Sequence, residues 1–187
     1  MNALKLRSFF PSALLILTLV APAVRGQGVA DSLLLGARTI ELAAKLSGFQ
    51  QVPPVLSNGK GSFSAEIHDI NSITFRLSYS GLSSPVTGAH VHFGQKGVNG
   101  GIIFFLCGGG PTAACPNSGT ITGTITAADV SVLPSGNPDS VIPQGIQHGD
   151  LAGAIRAILN GDGYVNVHTQ NFPAGEIRGQ IFTVFEE

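Results

Sequence analysis

Tryptophan is absent, methionine occurs once, and Asp, Glu, Lys and Arg together make up only 11% of the 187 residues. Ten basic residues against eleven acidic ones leave a net charge of −1, so there is no basic footprint for nucleic acid and no polybasic lipid patch. Phosphate-binding signatures are missing too. The glycines at 94, 97, 100 and 101 fit neither G-x-G-x-x-G nor the Walker pattern, and no amphipathic helix follows them directly. They suit positive-φ turns and close backbone passage instead. No G-x-S-x-G elbow occurs, and His168 is followed by Thr169, so no nucleophilic triad is visible. Paired acids for glycoside hydrolysis are not evident, because Asp150 and Asp162 flank a predicted helix and read as capping or turn residues.

Long apolar runs are scarce as well. One spans residues 9–20, behind a basic segment with Lys5 and Arg7 and ahead of the small residues Ala21, Ala23 and Gly26. That pattern predicts a secretory signal peptide over 1–26, cleaved after Ala23 or Gly26, with an uncleaved anchor as the alternative. The run is shorter than the ~20 residues a spanning helix needs. The expected mature chain is a secreted or periplasmic protein, free of the membrane after cleavage. It comprises a leader over 27–38 and one domain over 39–187.

What the chain does contain is glycine, at 25 residues, together with abundant Val, Ile and Thr. Short strands joined by glycine-rich turns follow from that composition. Ile73, Phe75, Leu77 and Tyr79 alternate with Thr74, Arg76 and Ser78, the period of a half-buried strand. By the same reading strands are expected at 40–46, 62–67, 73–79, 86–93, 102–106, 118–126, 163–169 and 175–182. Short helices are expected at 126–133, behind an N-cap at Thr126, and at 150–159, with Gly161 as C-cap. The expected fold is all-β: an antiparallel Greek-key sandwich or barrel of about eight strands with two short helices. Cys107 and Cys115 flank a glycine-rich stretch, and in an oxidising compartment a short-loop disulfide is expected. A thiolate metal site or redox pair is the alternative, at a spacing too long for C-x-x-C.

Two stretches carry the functional signal. In Gly88-Ala89-His90-Val91-His92-Phe93, side chains two apart share a face, so His90 and His92 look one way and Val91 and Phe93 the other. Downstream, Tyr164, Asn166 and His168 share a face and Val165 and Val167 the opposite one. Three of the five histidines thus sit on polar faces of two apolar-backed strands. If these strands approach, the three imidazoles can converge on one metal ion, and neutral imidazoles suit copper or zinc. Tyr164 is a candidate fourth ligand, and Asn166, Thr169 and Glu176, or backbone carbonyls, are candidate partners for the free ring nitrogens. The competing reading makes the histidines polar surface residues bonded to backbone or to Glu176. Glu176 and Arg178, on one strand face, read as members of a structural ion pair. His68 reads as a turn residue, and His148 as a cap-region residue and an outside candidate ligand.

The segments LSGFQQVPP (46–54), GAHVHFGQKGVNGGI (88–102) and GYVNVHTQNFPAGEIRGQI (163–181) resemble the CHRD domain, a module named after chordin and also found as a stand-alone secreted protein in bacteria. A weaker, fold-level likeness is to Cu/Zn superoxide dismutase, where an H-x-H strand and a later V-x-H strand supply copper ligands outside a Greek-key barrel. That likeness implies copper on His90, His92 and His168, with zinc the lesser candidate. No histidine cluster with an aspartate lies between residues 93 and 147 to match a zinc loop, and Arg178 is placed as a guiding arginine only by sequence proximity. The implied functions are copper storage, delivery or redox chemistry with a copper donor or acceptor as partner, a metal-free extracellular module that binds a protein partner, or a copper-only dismutase.

Overall fold

The computed structural model describes residues 39–185; the expected signal peptide and leader lie outside them. The described residues form nine strands: β1 Ile40–Ser47, β2 Lys60–Asp69, β3 Ser72–Ser80, β4 Val86–Phe93, β5 Ile102–Cys107, β6 Gly119–Ile125, β7 Gly163–Thr169, β8 Ile177–Gln180 and β9 Phe182–Val184. One antiparallel sheet runs in the order β5-β4-β7-β8-β1-β2-β3-β6, with β9 also paired to β1. The non-consecutive neighbours make this a Greek key, and its end strands β5 and β6 come together to nearly close a barrel.

The strand alternation holds. Ile73, Phe75, Leu77 and Tyr79 are buried, while Thr74, Arg76 and Ser78 are at least partly exposed. The inner faces of the histidine strands are equally clear: Ala89, Val91, Val165 and Val167 have no exposed surface and join one continuous core. That core anchors the backbone from which the polar face projects. Burying a Val or Ile side chain contributes about 1.5–3 kcal/mol, so neither strand can slip by one residue without exposing its apolar set.

Two expectations need correction. The segment 126–133 is no helix but a single 3-10 turn, Ala127–Asp129. Thr126 and Asp129 do form the capping box, with the Asp129 carboxylate accepting from the Thr126 N–H at 2.8 Å and hydroxyl at 2.9 Å. Val130 then turns extended, is fully buried, and is followed by Ser131, whose N–H bonds the Ile103 carbonyl at 2.7 Å. Core burial of Val130 and pairing to β5 outweigh propagation of a short helix. The last strand is also not continuous. β8 and β9 keep one register against β1, with Ser47 opposite Arg178 and Ala43 opposite Phe182. Between them buried Ile181 donates to the Gly163 carbonyl instead, at 2.9 Å.

The second expected helix is present as α1, Leu151–Ala157. Asp150 caps it by accepting from the Gly153 N–H at 2.8 Å, and one wider turn, Ile158–Asp162, leads into β7 with Gly161 at φ 86°. Cys107 and Cys115 form the disulfide, their Cα atoms 5.1 Å apart. No helix among the described residues is long and apolar enough to cross a membrane.

Candidate metal centre

β4 and β7 are sheet neighbours, with His90 opposite Asn166, His92 opposite Tyr164 and Gly88 opposite His168. Residues opposite one another across an antiparallel pair point to the same face, so all three histidines share the outer face of the barrel. The missing side chain at Gly88 matters. A Cβ there would stand 3.0 Å from His90 Nε2, a tight contact, so glycine eases the approach of His90 to His168. Their ring centroids are 4.8 Å apart. The β4–β5 register shifts on either side of His90 and Val91, and such irregularities re-aim side chains. As a result one ring nitrogen from each of His90, His92 and His168 lies within 4.8 Å of the other two.

For two of the three rings the hydrogen bonds fix which nitrogen carries the proton. His92 Nδ1 faces the Gly100 carbonyl at 2.9 Å, and His168 Nδ1 faces the Pro173 carbonyl at 2.9 Å. A carbonyl only accepts, so both Nδ1 atoms donate and each Nε2 keeps a lone pair. Among the described residues, His90 Nδ1, His92 Nε2 and His168 Nε2 are buried without any hydrogen-bond partner. Unpaired buried polar atoms in native folds call for an explanation, and an ion is one of the few available. The lone pairs of His92 Nε2 and His168 Nε2, converging with the unpartnered His90 Nδ1, fit a metal.

A model of the CHRD domain matches residues 42–181. The chain belongs to the CHRD domain family. Comparison with curated proteins finds no match. Among solved structures the chain is similar to Candida albicans superoxide dismutase 5 with Cu(II), at 13% identity and a TM-score of 0.45, over 80% of this chain and 95% of that one. That likeness is too slight to bear on chemistry, which rests on the CHRD domain's own residues.

Burial sets the protonation of the cluster. Desolvation first, then the fields of His168 and His92, push His90 down to about 2. Desolvation, only partly offset by the Gly100 carbonyl, pushes His92 down to about 3. His168 is also lowered by burial. All three rings are therefore neutral at physiological pH and ready to coordinate. They line a cleft of about 360 Å³ whose wall includes Asn99, Gly100, Asp139 and Pro173 but, among the described residues, no Lys or Arg.

Tyr164, the candidate fourth ligand, lines the same cleft as the three histidines. Its ring lies parallel to His92, with centroids 4.8 Å apart and planes 4° apart, and its hydroxyl accepts from the Gly100 N–H at 3.2 Å. Burial raises its pKa, so it stays a phenol at neutral pH. The three expected partners of the ring nitrogens bond elsewhere in the CHRD domain. Asn166 Oδ1 accepts from Gln51 at 2.6 Å, and its amide donates to the Ala174 carbonyl at 3.4 Å. Thr169 donates to Glu176 at 2.7 Å. Glu176 also accepts from the Ser57 hydroxyl at 2.5 Å and from the N–H and hydroxyl of Ser83.

Glu176 and Arg178 form no ion pair, to each other or to another described residue. Both are fully buried and satisfied by neutral partners. His68 is not in the turn but near the end of β2, on the surface beside Glu66, and His148 faces the Ser131 carbonyl at 3.4 Å; neither joins the cluster. Sequence reasoning missed Gly88, Phe105 (edge-on to His90 at 4.7 Å) and Asp139. A glycine two residues before the H-x-H pair was the one available signal, since the Asp139 loop has no period.

Proposed function

We propose that this CHRD domain holds one copper ion on His90 Nδ1, His92 Nε2 and His168 Nε2, in a secreted or periplasmic protein that stores, delivers or cycles copper. The observation that carries the reading is the convergence of three buried, neutral imidazoles whose inward nitrogens have no hydrogen-bond partner among the described residues. Imidazole suits copper and zinc alike, and copper stands above zinc in the affinity order for nitrogen donors. The disulfide supports an oxidising compartment. Bound copper would supply one-electron redox chemistry at the cleft.

What the residues do is clearer still. The Gly100 and Pro173 carbonyls orient His92 and His168, Phe105 backs His90, and Tyr164 backs His92. The cleft lining, with Asp139 and no cation among the described residues, favours entry of a metal cation over capture of a small anion such as superoxide. Storage or delivery is accordingly preferred to dismutation.

The test is elemental analysis of protein expressed to its native compartment, beside a His90→Ala/His168→Ala variant shown folded by circular dichroism. About one copper per wild-type chain, lost in the variant, supports the reading. No metal in either protein, with wild-type thermal stability unmoved by added copper, overturns it and turns the search toward protein partners. Zinc in the site after exposure to both metals corrects the metal's identity.

A further inference from the structure

Arg178 is the largest side chain in the CHRD domain with essentially no exposure. Burying a guanidinium is costly unless its donors are satisfied, and an opposite charge usually helps. Among the described residues no carboxylate pairs with it. Its donors go to one loop instead: to Asn99 Oδ1 at 3.1 Å, the Gln95 carbonyl at 3.2 Å and the Val98 carbonyl at 2.9 Å. That loop, 94–101, is the one that presents the Gly100 carbonyl to His92 and the Gly100 N–H to Tyr164.

A second link runs through the rings. Arg178 Cζ lies 3.5 Å from the centre of the Tyr164 ring, which is itself stacked on His92. β7 lies between β4 and β8, so Tyr164 stands between His92 and Arg178 as the middle of a column. A planar guanidinium can stack on an aromatic ring and fork to several carbonyls at once, which an ammonium cannot do.

We propose that Arg178 is the positioning residue of the histidine cluster: by clamping loop 94–101 and backing Tyr164 it fixes His92 with Nδ1 on Gly100 and Nε2 toward His90 and His168. A ligand histidine free to rotate or change tautomer would offer Nε2 only part of the time, and partners one shell out commonly change metal affinity 10–100-fold. The inference rests on the copper reading for its consequence but not for its geometry.

The experiment uses Arg178→Met, Arg178→Lys and Asn99→Ala, with Ser83→Ala as a control that weakens the distant Glu176 contacts. The first readout is the His92 tautomer in metal-free protein, from imidazole nitrogen NMR at pH 7.5. Wild type and Ser83→Ala should show a single Nδ1–H form. Arg178→Met and Arg178→Lys should show mixed tautomers, and Asn99→Ala, which removes one of three clamp bonds and keeps the fold if the arginine variants do not, a smaller mixture. The second readout is Cu(II) affinity, expected to fall at least about tenfold in Arg178→Met and to stay depressed in Arg178→Lys. A folded Arg178→Met with the wild-type tautomer and affinity overturns the proposal, as does full recovery by lysine, which would show that bare charge suffices. If wild type takes up no copper, the copper reading fails while the tautomer still decides the role of Arg178.

Discussion

Neutral histidines buried in the folded state must take up protons when the chain unfolds below their ordinary pKa, and the size of that effect can be worked out. His90 is held down to about 2 and His92 to about 3, against 6.5 in the unfolded chain. The sign follows from proton counting: between these values the unfolded state binds more protons, so stability falls as pH falls. An unfolded histidine is roughly 10% protonated at pH 7.5 and roughly 90% at pH 5.5, so each group removes about 1.4 kcal/mol across that interval. His90 and His92 together remove about 3 kcal/mol, and His168, shifted in the same direction, adds to it. Most carboxylates titrate below the window, which isolates the histidines. The assay is urea unfolding of chelator-treated protein at pH 7.5, 6.5 and 5.5. His92→Phe removes one of the two groups and should remove about 1.4 kcal/mol of the dependence, whatever it does to stability at pH 7.5. An unfolding free energy that stays flat from pH 7.5 to 5.5 would refute the picture of a dry, neutral cluster.

Three further outcomes are expected. Replacing both cysteines by alanine should lower stability by about 2–3 kcal/mol in urea unfolding, the value for closing so short a loop, with the far-ultraviolet spectrum retained. Glu176→Gln sets an amide against hydroxyl and N–H donors from Ser57, Ser83 and Thr169 that a carboxylate accepts, and should cost about 2–3 kcal/mol at pH 7. Burial alone would raise the pKa of Glu176, yet those hydrogen bonds hold it below the ordinary value, so its contribution is present at neutral pH and lost in acid; a Glu176→Gln deficit that persists undiminished at pH 3 would contradict that assignment. Gly88→Ala should leave the barrel folded but push His90 away from His168, lowering copper affinity at least about tenfold in a competition titration.

The parts of this fold that were legible are those where a period of two meets a buried face. Residues 73–79 announced β3 because every second side chain enters the core, and 86–93 and 163–169 announced β4 and β7 because Val91, Val165 and Val167 do the same. The same period put His90, His92 and His168 on one kind of face. It could not say that the strands would be neighbours, since their pairing spans some seventy residues and is decided by the whole sheet order. Local rules also misjudged extent. The cap at Thr126 and Asp129 is real, but Val130 is drawn into the core and stops the helix after a single turn. Its face alone makes Tyr164 a candidate fourth ligand. Its stacking between His92 and Arg178, and the capture of Arg178 by loop carbonyls, depend on loop shapes that leave no periodic trace.

That contrast divides the construction of the site into two jobs. The strands fix where the histidine Cα atoms are, because a one-residue slip would expose valines to water. They do not fix which nitrogen of each ring faces inward, since an imidazole can rotate and exchange its proton. Direction comes from the loops, which offer backbone carbonyls at Gly100 and Pro173 to the outward nitrogens of His92 and His168. Those contacts are made entirely by the chain's own atoms. In a zinc finger, by contrast, metal affinity and folding are one free energy. Here the barrel's core supplies the folding, and an ion adds stability only by mass action, in proportion to its free concentration over its dissociation constant. On the copper reading, a site carried by so continuous a core would fill and empty without unfolding, as passing copper between a donor and an acceptor requires.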